Sequence, residues 1–156
     1  MPIPMGKPKT SAISRQVYIV AAHEHIRAAF ELVAAKRYVL ANYVSGLAVE
    51  CVIRAYRLKI SSEFDERHDL RELARAARFF DLFPPQRLQA LSIAFTNVVL
   101  QWENSHRYRS EDSLRKFLVE RKLFRGIKGD LLAARAHIIV NAAFDLVSLG
   151  VSQWQD

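Results

Sequence analysis

Cysteine is almost absent from this 156-residue chain: Cys51 stands alone. A single cysteine excludes an internal disulfide and a multi-cysteine zinc site. It lies among Val49, Val52 and Ile53 and reads as a small buried apolar residue. Without a disulfide framework, a cytoplasmic location is the default expectation. Breakers are also few. There are five glycines and five prolines, and Pro2, Pro4 and Pro8 fall in the opening segment. No run of about 18 uncharged apolar residues is present, so no membrane span is expected. MPIPMGKPKT lacks the apolar core of a signal peptide and reads as part of a disordered basic tail over residues 1–13. The chain has no Gly-rich phosphate loop, no nucleophile elbow, no internal repeat and no alternating strand pattern.

What is present is helical. Ala, Leu, Arg and Glu are abundant, and half the residues are hydrophobic. A first helix is expected from Ser14 to Ala35, with Val17, Ala21, Ile26, Phe30 and Val33 on its apolar face. A turn at Lys36–Arg37 leads to a second helix, Tyr38 to Lys59. Its stripe is Leu40, Val44, Leu47, Cys51, Ala55 and Leu58, but Val39, Tyr43, Val49, Val52 and Ile53 make other faces apolar too. Such a helix is central in its bundle or carries a subunit interface. SSEFDERH reads as a loop. Asp69 and Glu72 then offer a capping pair for a third helix reaching Phe80 and burying Leu70, Leu73, Ala77 and Phe80. Pro84–Pro85 opens a fourth helix carrying Leu88, Leu91, Phe95, Val98 and Trp102. A shorter helix capped at Ser110 or Asp112 holds Leu114, Phe117, Leu118 and Leu123. The last, from Asp130 to Leu149, carries Leu131, Ala134, Ile138, Ala142 and Leu149. The expectation is an all-α, antiparallel bundle of five to six helices in one domain, residues 14–150.

The net charge is +7, which permits a polyanionic partner and says nothing of fold. Arg71, Arg75 and Arg78 form one basic stripe, and Arg107, Arg109, Arg115 and Lys116 a second cluster. Both suit a nucleic-acid backbone or a solvated face. His23 and His25 cannot share a metal ion, because residues two apart on a helix point about 200° apart. No metal and no cofactor is expected. Glu50 is costly on so apolar a helix unless paired, with Arg54 one turn on or with the distant Arg107. It forms a structural ion pair or orients a reactive Arg or His. His68 and Asp69 open the third helix, where either Asp69 serves the free N–H groups or the N-terminus takes a phosphate. In WENSHRYRS, Arg107 stands between Trp102 and Tyr108, where a guanidinium can stack and bind phosphate.

In order, GLAVECVIRAYRLKI, HDLRELARAA and WENSHRY resemble a HEPN domain. The carrying residues are Ala48, Glu50, Val52 or Ile53, Arg54 and Ala55; then His68, Asp69 and Leu70; then Trp102, Arg107 and Tyr108. The resemblance covers roughly Gln16 to Leu149. It implies a small helical bundle that forms a homodimer, and for many members a metal-independent ribonuclease or a toxin–antitoxin or defence module paired with a nucleotidyltransferase-type antitoxin. Nuclease members carry an Arg, four to six residues, then a His. No Arg here is followed by a His at that spacing, and in WENSHRYRS the His precedes the Arg. The first expectation is therefore a non-catalytic domain binding a nucleotide, RNA or a partner protein through Glu50, Arg54, His68, Arg107, Tyr108 and Arg109. An alternative is a divergent metal-independent endoribonuclease using His106 or His68 as base and Arg107 for charge. A third is a purely structural dimeric helical protein in which Glu50 and Arg107 form a buried pair.

Overall fold

The computed structural model describes residues 13–154, and the expected basic tail lies outside them except for Ile13. The architecture is all-α, with no strand among the described residues. Six helices follow in order: α1 Arg15–Ala34, α2 Tyr38–Leu58, α3 Leu70–Ala76, α4 Pro85–Gln101, α5 Glu111–Glu120 and α6 Leu131–Ser152.

Local chemistry sets most boundaries. Ser14 caps α1 by accepting from Val17 N–H at 3.2 Å, and Asp69 caps α3 by accepting from Glu72 N–H at 3.0 Å. Pro85 occupies the first position of α4. Ser110 and Ser113 exchange bonds at the start of α5, and Asp130 accepts from Ala133 N–H at the start of α6. α1 closes with Arg37 N–H donating to Leu32 O at 2.8 Å and Lys36 N–H to Val33 O at 2.9 Å. Lys36 sits at the left-handed position of this closure, φ 59°, which favours glycine. The three-residue turn folds α1 back antiparallel on α2.

α2 is the central helix. It packs on α1, α3, α5 and α6, and α6 also packs on α4 and α1. The core joins Ile26, Ala48, Val52, Ile53, Leu91, Val98, Ile139 and Leu146. Each large aliphatic side chain buried there contributes about 1.5–3 kcal/mol. The Tyr56 hydroxyl donates to the Gly150 carbonyl, tying α2 to the end of α6. A smaller cluster of Leu114, Phe117, Leu118 and Leu132 seats α5 under the start of α6, against Tyr38 and Val39.

Three expectations are corrected. The buried stripe of α1 is Ile19, Ala22, Ile26, Ala29 and Val33, while Val17 and Phe30 are exposed. The stripe of α6 is turned likewise, onto Leu132, Ala136, Ile139, Ala143, Leu146 and Val147, and of the expected residues Ala142 is buried. α3 stops at Ala76 rather than Phe80. Arg78 turns left-handed, φ 49°, and a 3-10 turn at Phe79–Leu82 drives Phe79 into the core against Tyr56 and Phe83. By length and composition alone α6 is able to cross a membrane, since an 18-residue window has mean hydropathy 1.4. Half of that window is buried inside the bundle.

Candidate functional site

α4 ends because its last residues have better partners than another helical turn. Trp102 lies flat over Gly46 on α2, stacks with Tyr43 at 6.2 Å between centroids, and donates its indole N–H to the Tyr43 carbonyl at 2.9 Å. The chain then makes a 3-10 turn, Asn104–Tyr108, before α5 begins. This turn carries His106, Arg107 and Tyr108, and it forms one wall of two separate clefts.

Behind the turn runs a buried polar chain. Arg135 on α6 donates from Nε to Gln101 Oε1 at 2.9 Å. A guanidinium has no acceptor, so this bond fixes the Gln101 amide. Its Nε2 then donates to the Arg135 carbonyl and to Asn42 Oδ1, both at 2.8 Å. Asn42 Nδ2 therefore donates to His106 Nδ1 at 3.1 Å, and Glu103 N–H donates to the same nitrogen at 3.3 Å. With Nδ1 accepting twice, the His106 proton resides on Nε2. Nε2 is buried and has no partner. Burial pushes the imidazole pKa down to about 4; Glu103 opposes this, and Arg109 and Arg121 add to it. His106 is thus a neutral N–H donor at pH 7, its ring perpendicular to that of Phe117.

The first cleft, about 310 Å³, lies between this turn and the α1–α2 turn. Lys36, Arg37, Arg107 and Arg109 line it, with Tyr43 and His106, and Glu111 is the acidic residue in its wall. Arg107 is exposed. It bonds to the Tyr43 and Tyr108 side chains, which raises its pKa, and its guanidinium lies 4.8 Å from the Tyr108 ring centroid. Tyr108 is itself 78% exposed. Trp102 does not bracket Arg107, because the indole is committed to Gly46. Arg109 donates to the Ser113 carbonyl at 3.3 Å and lies over Phe117.

Glu50 belongs elsewhere. It is 5% exposed, and its Oε1 accepts from Arg54 Nε at 3.2 Å, from Arg54 at a second nitrogen at 3.0 Å, and from His68 Nδ1 at 2.7 Å. Arg54 also donates to the carbonyls of Asp65 and Arg67, both at 2.7 Å, and so clamps the loop before α3. The expected Glu50–Arg107 pair does not form; the local partner Arg54 wins. His68 is half exposed and lines the second cleft, about 360 Å³, with Asp69, Arg71, Asn104 and Ser105. The expected binding set is thus divided: Arg107 and Arg109 lie at the first cleft, with Tyr108 beside Arg107, and His68 lies at the second with Glu50 and Arg54 behind it.

The two basic stripes are largely solvated. Arg75 pairs with Glu72 at 2.8 Å and Arg115 with Asp112 at 3.0 Å. Cys51 is half-buried, and burial pushes its thiol up to about 12, which removes it as a nucleophile at neutral pH. Among the described residues no three His, Cys, Asp or Glu side chains are grouped as for a metal ion. Sequence reasoning missed Lys36, Arg37 and Tyr43 as cleft residues, and Asn42, Gln101 and Arg135 as the support of His106. The available signal was polar residues in core phase on apolar helices.

Comparison of the chain with family models, with curated proteins and with solved structures finds no match.

Proposed function

We propose that this protein is a HEPN-like helical bundle without the ribonuclease motif, which binds a nucleotide or RNA by its phosphate in the first cleft. The supporting observation is the gathering of Lys36, Arg37, Arg107 and Arg109 from two separate turns around one concave site that also holds Tyr43. Guanidinium groups bind phosphate oxygens through paired charge-assisted hydrogen bonds, and exposed aromatic rings such as Tyr108 stack on bases. A homodimer and a nucleotidyltransferase-type partner protein belong to the same reading. The test is titration of a labelled single-stranded RNA and of a nucleoside triphosphate into the full chain, beside Arg107→Gln and Arg109→Gln. Binding that weakens with salt and in both variants supports the reading. Wild-type protein that binds neither ligand at low salt ends it.

One observation favours a second reading, the divergent endoribonuclease. The bond from His68 Nδ1 to Glu50 holds the neutral imidazole in the tautomer whose Nε2 lone pair is free. Arg71 lines the same cleft. His68 there would take the 2′-hydroxyl proton, and Arg71 would meet the developing phosphorane charge. His106 does not suit that base role, since its Nε2 carries the proton. RNA cleavage in EDTA by wild type, lost in His68→Ala with the circular dichroism spectrum unchanged, establishes this reading. Absence of cleavage by folded wild type removes it.

A further inference from the structure

We infer that the first cleft is built for a terminal phosphate monoester, seated on the N-terminus of α2 with His106 Nε2–H as a donor. The inference deepens the binding reading above by naming the chemical group and its seat.

α2 is 21 residues long, and no side chain caps its N-terminus. Its N-cap is Arg37 and its first turn contains no acid, so the helix itself carries nothing that neutralises its positive end. The first residues of the helix, Tyr38, Val39 and Leu40, line the cleft. An anion there receives backbone N–H groups that otherwise have no intrahelical acceptor.

The second observation is independent of the helix. His106 is 1% exposed, belongs to the wall of the same cleft, and holds a buried Nε2–H without a partner. Its orientation is not accidental, since the chain from Arg135 through Gln101 and Asn42 fixes the proton on Nε2. A buried donor without an acceptor is a group whose partner is missing. The neutral state of His106 suits a hydrogen-bond donor to a phosphate oxygen across the physiological pH range. Four cationic side chains against the single carboxylate of Glu111 provide more charge than a singly charged diester demands, and they favour a dianion over it. At about 310 Å³ the cleft admits one small ligand, not a length of duplex.

The experiment is NMR on the ¹⁵N-labelled full chain at pH 7, titrated with methyl phosphate and, separately, with dimethyl phosphate. Methyl phosphate is expected to shift the His106 ring resonances and the amides of Tyr38, Val39 and Leu40 together, in one saturable event. Dimethyl phosphate binds more weakly by roughly ten-fold or more, the loss of one charge-assisted hydrogen bond. Arg37→Gln, an exposed position, weakens methyl phosphate by a similar factor, and Lys122→Gln, outside the cleft lining, leaves it unchanged. Saturable shifts that leave His106 and residues 38–40 untouched, equal affinity for the two esters, or no saturable event at all overturn the inference. Its fate separates from that of the broader reading. Protein that binds RNA while His106 stays silent keeps the function and loses this seat. Protein that binds methyl phosphate in the stated way but no nucleotide or RNA keeps the seat and loses that function.

Discussion

Gly46 lies directly beneath the indole of Trp102: a Cβ at this glycine would stand 2.1 Å from Nε1. The approach lets Trp102 reach the Tyr43 carbonyl and so fixes where α4 stops and the 3-10 turn begins. Gly46→Ala is expected to displace the ring and to destabilise the protein by about 1–3 kcal/mol, despite the better helix propensity of alanine. Urea unfolding with tryptophan fluorescence measures both effects. An unchanged midpoint and emission maximum would show that the contact is not tight.

Glu50 and Arg54 are both nearly inaccessible, so removing one leaves the other charged and buried. Glu50→Gln is expected to cost about 3–5 kcal/mol, and a paired Glu50→Leu, Arg54→Met replacement less than that. The loop at 61–69 should exchange its amides faster in the double variant, which lacks Arg54, because Arg54 clamps it. By contrast Arg107 is exposed and pairs with no carboxylate among the described residues, so Arg107→Ala should move stability by no more than about 0.5 kcal/mol. A large loss in Arg107→Ala would contradict its placement.

Lys36 and Lys122 each follow the end of a helix in the left-handed conformation, at φ 59° and 58°. The same pair of closing bonds appears at both, Leu123 N–H to Leu118 O and Lys122 N–H to Val119 O at the second. Glycine is the residue this backbone favours. Lys36→Gly and Lys122→Gly should each stabilise by about 1 kcal/mol in chemical denaturation. Only Lys36→Gly should also weaken phosphate, because only Lys36 lines the cleft. If both variants bind alike, the ammonium of Lys36 is not part of the site.

The folded-state pKa of His106 lies below the unfolded value, so the unfolded chain takes up its proton first as pH falls. The stability this group supports is complete above pH 6.5 and is lost as pH drops from there toward about 4. His106→Gln should flatten that part of the pH–stability curve. Asp65 acts in a lower window, since its bond to Arg67 holds its carboxyl well below the usual carboxylate range. A wild-type curve level between pH 6.5 and 4 would mean that His106 is not buried neutral.

Helix number, order and starts were readable because Ser14, Asp69, Pro85, Ser110 and Asp130 act locally. The phase of the stripes in α1 and α6 was not, because Ala and Val make several faces apolar and the period does not say which face turns inward. The early end of α3 carried no Gly or Pro to announce it; packing of Phe79 imposes it. Within the site, Glu50–Arg54 was legible as a pair one helical turn apart. The link from Arg135 to His106 joins α6, α4, α2 and a turn, and no sequence spacing encodes a contact among four elements.

The place of α6 in the chain has a consequence for synthesis. The faces of α2 that carry Val52, Ile53 and Tyr56 find much of their cover in Ile139, Leu146, Gly150 and their neighbours on α6, which is made after the other five described helices. Until residues 131–152 have emerged from the ribosome, the most apolar helices already made have no finished interior to enter. A nascent chain of this protein therefore waits, sticky and incomplete, for α6. A chain arrested near Gly129 should be held by chaperones or aggregate rather than persist as a smaller folded unit.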